Sequence, residues 1–331
     1  MTIAGRLHYY HRIFSAYLTP GESHLSFWHE TPLENPRASA DKLGQYYMCF
    51  PQKAQYSAYL DADGIPLLNY RGRIGPQYNP IAISQWGLGN YNLFRSEIAM
   101  EDRNHLYTQK FLAASDWLCS NLKQNSNGVW VWNHNFDWEY RDTLKAPWYS
   151  GLAQGQAISL LVRAHAETGD SKYIEASDLA FESFLKSVDE GGVIFLDEQN
   201  RPWIEEYIVR PPTHILNGFI WALWGVRDCY LATKRQDAQN LFEQCVQTLR
   251  DNLQRYDLGF WSLYEQSGTI LPMVASPFYH QLHIVQLRIM HRLTGDEVFA
   301  EYADRWQRYT LSWPNRLRAL CYKSLFKLCH Y

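Results

Sequence analysis

Ala153-Gln-Gly-Gln-Ala-Ile-Ser-Leu-Leu-Val-Arg-Ala-His-Ala166, closed by Thr168-Gly169-Asp170 and resumed at Tyr173, is the stretch on which the fold turns. Its apolar residues recur at helical spacing and leave little polar face, which predicts an inner helix rather than a surface one. Gly169 suits a helix C-cap and Asp170 the N-cap of the helix that follows. The same punctuation returns at Thr294-Gly295-Asp296, ahead of Phe299. Pro80 to Phe94, His214 to Ala232 and His280 to Leu293 share the inner-helix texture. Each inner helix is followed by a more polar partner; the partners begin near Asn104, Ser171, Asp237 and Glu297 and run into Trp117, Phe184, Leu249 and Trp306. The inner starts recur roughly every sixty to seventy residues, the period of successive inner/outer hairpins. The expected fold class is therefore mainly α, an incomplete (α/α) toroid of helical hairpins spanning 80–312. A small N-terminal β-containing region is expected over 1–79, because short Tyr/Phe runs there, such as Gln45 to Phe50, are broken by Pro51 and Asp63-Gly64.

Composition narrows the function. Lys and Arg total 31 against 34 Asp and Glu, so the chain has no general electrostatic attraction for nucleic acid. Its 13 Trp, 23 Tyr and 15 Phe exceed what a core usually takes, and flat rings suit the C–H faces of sugars as well as packing. Cys49, Cys119, Cys229, Cys245, Cys321 and Cys329 form no CxxC pair and no zinc spacing, and are expected to be reduced thiols. No GxGxxG follows a strand and no Walker sequence occurs, so no nucleotide cofactor is implied. The first eighteen residues lack the apolar run of a secretory signal, which makes the cytoplasm the expected compartment. Residues 313–331 mix Arg316, Arg318, Lys323 and Lys327 with Leu317, Leu320, Leu325, Phe326 and Leu328; such a basic amphipathic helix either docks on the protein or touches the inner membrane as a peripheral anchor.

The words that carry the chemistry are Lys145 to Leu161 (KAPWYSGLAQGQAISLL), Trp203-Ile-Glu-Glu-Tyr207, and Pro211-Pro-Thr-His-Ile-Leu-Asn-Gly-Phe-Ile220. They closely resemble the C-terminal domain of D-glucuronyl C5-epimerases, whose patterns run WYSxMAQGQAIS, EEYP and VLNGF. The likeness continues through Tyr264 to Pro277-Phe-Tyr-His280, and upstream through Gly75-Pro-Gln-Tyr78-Asn-Pro80 to Gln85-Trp-Gly-Leu88, covering about residues 60 to 310. The resemblance implies conversion of D-glucuronate to L-iduronate within a heparosan-like polymer, without a cofactor or catalytic metal, and an anionic glucuronate polysaccharide as partner. Carried over position by position, it implies Glu206, Tyr207, Tyr264 and Tyr279 as catalytic residues and Tyr78 as a further site residue. Where the family has YDLR this chain has Tyr264-Glu-Gln-Ser267, so a substrate-gripping arginine has no counterpart there. Arg71, Arg73 or Arg210 is the expected replacement.

The chemistry agrees with that set. C5 of a uronate lies α to a carboxylate, so an epimerase needs a proton acceptor and a donor on opposite faces of the ring and a means of holding the carboxylate. Glu206 can accept and Tyr279 can donate. Tyr149, His214 and His280 are further candidates for lining the cleft, each with a packing role as the alternative. His280 and His283 sit about a helical turn apart, but no third metal ligand accompanies them. Gln154 and Gln156 are expected to hydrogen-bond within the core, and Asn217-Gly218 to allow close helix packing. A polysaccharide lyase, which begins with the same proton abstraction, and a non-catalytic glycan-binding protein are the rival readings. A homodimer stays open.

Overall fold

The computed structural model describes residues 27–70, 72–96 and 101–330. Its helices are α1 (Pro51–Ala54), α2 (Pro80–Phe94), α3 (Glu101–Asn121), α4 (Gly151–Thr168), α5 (Ser171–Phe181), α6 (Leu216–Thr233), α7 (Gln236–Asn252), α8 (Pro277–Thr294), α9 (Glu297–Leu311) and α10 (Trp313–His330). Strands are only two or three residues long and pair antiparallel two by two: β1 (Leu33–Glu34) with β2 (Met48–Cys49), β3 (Leu68–Asn69) with β4 (Pro76–Gln77), β5 (Leu122–Gln124) with β6 (Trp130–Trp132), β7 (Trp138–Glu139) with β8 (Thr143–Leu144), and β9 (Ile194–Leu196) with β10 (Pro202–Ile204). The mainly α class expected from the hairpin pattern is what the structure has, including short β pairings ahead of α2.

Inner and outer helices differ as their sequences dictate. Every residue of α2 from Pro80 to Asn92, and of α4 from Gly151 to Ala164, is buried, so these helices have no solvent face. On α5 the buried residues are Tyr173, Ala176, Ser177, Ala180 and Phe181, the single stripe of an outer helix. The repeated Thr-Gly-Asp connections behave alike. Gly169 and Gly295 close their helices at φ of 73° and 71°, and Asp170 and Asp296 accept the backbone N–H groups of Lys172 and Val298.

The described residues divide into two compact units. One comprises 33–212 and 218–248, in which α2 packs on α3 and α4, and α4 on α5. Within it α4 approaches α6 almost backbone to backbone, since a Cβ on Gly155 would sit 2.6 Å from the Ala222 carbonyl oxygen. The other comprises 27–32, 213–217 and 249–330 and contains the α8–α9 hairpin with α10 against α9. Among the described residues no helix is long and apolar enough to cross a membrane. Cys229 and Cys245 are buried and Cys321 is exposed, all as free thiols.

Candidate active site

The Glu205-Glu206-Tyr207 word leaves the end of β10 and is held there by its backbone. Glu205 accepts the Gly151 N–H at 2.9 Å and donates its own N–H to Val193 O at 2.9 Å, tying the loop to the head of α4 and to the approach of β9. The two glutamates then diverge. Glu205, 1% exposed, borders a shallow surface groove with Phe195, Ile208, Arg210 and Pro212. Glu206, only 5% exposed, turns onto the first turn of α6. A Cβ on Gly218 would fall on the Glu206 carboxylate and within 2.8 Å of the Glu206 Cβ, so the glycine of the Asn217-Gly218 word makes the recess that this carboxylate fills. Sequence reasoning expected helix packing from that glycine; its neighbour is instead an acidic side chain. The first turn of a helix also stabilises negative charge, by about 0.3–1 kcal/mol.

Gly218→Ala is therefore expected to push Glu206 from its recess. Overpacking of this kind costs about 1–3 kcal/mol, offset in part by the better helix propensity of Ala. Any catalysis that depends on Glu206 falls more than stability does, and comparing turnover with thermal melting of the variant separates the two. Unchanged turnover would mean that the recess does not position the carboxylate.

Tyr207 stands beside Glu206 on a bed of aromatics. Its ring lies 4.5 Å from Tyr140 and 5.7 Å from Trp148, which itself stacks on His134 at 3.8 Å and donates its indole N–H to Phe136 O. Burial pushes His134 down to about 3, so it is a neutral ring in this stack. Tyr140 and Trp148 were not singled out for this role, although Trp148 belongs to the decisive WYSG word.

Tyr264 and Tyr279 are brought together in the other unit, with ring centroids 4.8 Å apart and edge to face. Tyr264 is fixed from both sides of its backbone, donating to Met273 O and accepting from Leu216 N–H. Tyr279 sits in the first turn of α8, where Ser276 Oγ accepts its N–H and Pro277 opens the helix. His29 adds a third ring, 6.5 Å from Tyr279, from a part of the chain where the sequence signal is weak.

The next residue, His280, is fully buried. Its Nε2 faces the Trp306 carbonyl at 3.0 Å, its Nδ1 accepts the Ser262 N–H, and Trp261 stacks on the ring at 3.8 Å. Burial pushes it down to about 3, so it stays neutral while anchoring the chain beside Tyr279. Ser262 Oγ bridges it to His283 Nδ1 at 3.0 Å, which joins the two histidines through a hydroxyl. Among the described residues no group of three His, Cys, Asp or Glu is placed to hold a metal.

The remaining candidates have the following surroundings. The Tyr78 hydroxyl donates to Asp61 at 2.7 Å, and that bond pushes the phenol up to about 12; its ring lies 5.3 Å from Trp117. Tyr149 is half-buried, and burial raises its phenol. Arg73 is exposed, Arg210 is exposed and ion-paired with Asp189, and Arg71 lies outside the described residues. His214 is buried in the left-handed region at φ 48°, its carbonyl accepting the Tyr256 hydroxyl at 2.6 Å. Gln154 is stitched into the core by bonds to Trp130, Trp132, Ala180 and Ser183, as expected of it.

The helical hairpins define the fold class, and comparison with known proteins gives the family. Residues 124–308 match the family model described as D-glucuronyl C5-epimerase C-terminus. A D-glucuronyl C5-epimerase of Caenorhabditis elegans is 32% identical over 236 residues, which is 65% of this chain and 38% of that protein. The uncharacterized protein MJ1128 of Methanocaldococcus jannaschii is 27% identical over 208 residues, covering 62% of this chain and 66% of that one. The cellobiose 2-epimerase structure from Spirochaeta thermophila aligns with a TM-score of 0.47 at 12% identity, over 76% of this chain and 64% of that one. The chain belongs to the D-glucuronyl C5-epimerase C-terminal family. It spans well under half of the nematode relative and about two thirds of the archaeal one.

Proposed function

We propose that this protein inverts C5 of D-glucuronate residues within a heparosan-like polysaccharide, with Glu206 as proton acceptor and Tyr279 as proton donor. The observation that carries the reading is the Glu206 carboxylate, nearly buried in a recess that Gly218 creates for it, in a chain of this family. A carboxylate held this way loses little entropy when it takes a proton from carbon. Tyr207 and Tyr264 supply hydroxyls for the carboxyl group of the sugar as its charge develops. Arg210 is the cation for the ground-state carboxylate, since its partner Asp189 is an exposed side chain that a uronate can displace. Turnover needs no redox step, because the proton removed and the proton returned balance.

The test is incubation of an alternating glucuronate and N-acetylglucosamine polymer in deuterated buffer. Deuterium at C5 with chain length unchanged supports the epimerase. New unsaturated uronate ends, seen by ultraviolet absorbance, would mean a lyase, and neither change would mean a binding protein. In the same assay Tyr279→Phe is expected to lose about a hundredfold of the exchange rate. Its backbone cap to Ser276 does not involve the hydroxyl, so α8 should persist. Exchange at the parent rate would remove Tyr279 from the mechanism.

A further inference from the structure

Helix α10, Trp313–His330, carries apolar residues on its exposed side as well as its buried one. Ala319, Leu320 and Phe326 are buried, the Tyr322 ring lies 5.3 Å from Phe260, the Arg318 guanidinium lies 4.1 Å over the same ring, and Lys323 donates to Val274 O. The opposite side ought to be polar, yet Leu317, Cys321, Leu325 and Leu328 follow one another at helical spacing there. Leu317, Leu325 and Leu328 are 44%, 52% and 67% exposed, and Trp313 at the head of the helix is 53% exposed. Contiguous apolar surface of this kind marks a docking face.

Charge says what docks. The helix carries Arg316, Arg318, Lys323 and Lys327, and no Asp or Glu occurs anywhere from Arg305 to Tyr331, although the whole chain has a formal charge of −3. We propose that α10 lies in the interface of an anionic lipid bilayer, with Trp313, Leu317, Leu325 and Leu328 at the headgroup boundary and Arg316 at the level of the phosphates. A second copy of this chain fits less well. Two such helices face to face would set cation against cation with no carboxylate on either to answer them. The contact is independent of the reaction proposed above and concerns a different part of the molecule.

The full chain is sedimented with vesicles of phosphatidylglycerol and phosphatidylcholine, and with vesicles of phosphatidylcholine alone. It is expected to bind the anionic vesicles, to bind the neutral ones weakly, and to be released by raised salt. Arg316→Gln should weaken partitioning about fivefold, and the double variant Leu317→Glu, Leu325→Glu about tenfold or more. Both variants should keep the parent circular dichroism and melting temperature, because Leu317 and Leu325 are exposed and Arg316 is only half-buried. Equal binding to both vesicle types, or undiminished binding by the double variant, would overturn the proposal. So would a dimer, measured by sedimentation equilibrium, that the double variant dissociates, since the face would then belong to a second copy.

Discussion

Glu206→Gln is expected to abolish measurable C5 exchange, a fall of roughly 10²–10⁴-fold, in a protein that folds as the parent does. Gln has the shape of Glu, so it fits the recess at Gly218 without collision. What it lacks is a lone pair basic enough to accept a proton from carbon. Polymer affinity should change little, because the substitution removes an acceptor rather than a surface. Glu205→Gln is the informative control. Its side chain borders the groove with Phe195 and Arg210, and the backbone bonds of Glu205 to Gly151 and Val193 are left in place by the substitution. A loss of less than about tenfold is expected from it, well below the range of a general base. If the two variants exchanged places in the assay, the carboxylate on α6 would be structural and the base would lie in the groove.

The helices were legible because their cause is local. Pro80–Phe94 has the bounds that its apolar run predicted, and the other inner helices differ by a few residues at each end for a readable reason. Periodicity detects where an apolar stripe starts, whereas a helix starts at its cap. Ser150 and Ser276 accept the N–H groups of Ala153 and Tyr279, so α4 opens at Gly151 and α8 at Pro277. The family was legible through the resemblance of the WYSGLAQGQAISLL and EEY words, and that resemblance is what nominates Glu206, Tyr207, Tyr264 and Tyr279. Their surroundings were not. That Gly218 backs Glu206, that Asp189 engages Arg210, and that Ser262 joins His280 to His283 are facts about residues 12 to 21 positions apart, and no periodicity encodes them. The same holds for Tyr78, whose hydroxyl is committed to Asp61.

Distance along the chain also hid the interaction with the largest expected effect on stability. Arg163 on α4 and Asp228 on α6, 65 residues apart, form a bidentate pair at 2.6 and 3.2 Å with both side chains almost wholly buried. Neither ion is left wanting. Arg163 also donates to Gly44 O and Ser159 O, each at 2.7 Å, and lies over the rings of Tyr46 and Tyr47, while the Tyr47 hydroxyl donates to Asp228 at 2.7 Å. Burial alone would lower the affinity of the guanidinium for its proton, but the adjacent carboxylate outweighs it and holds the charge firmly. Because the pair joins α4, α6 and the 44–47 loop, removing one partner strands a buried charge. Asp228→Ala is therefore expected to cost about 3–5 kcal/mol, a large share of the roughly 5–15 kcal/mol that holds a domain together. Replacing both ions, as Arg163→Met with Asp228→Leu, should recover much of that loss, since burying two charges is itself expensive. Denaturant melts of the two variants decide the matter. Should Asp228→Ala unfold within about 1 kcal/mol of the parent, the network would be ornament to a core that packing alone sustains.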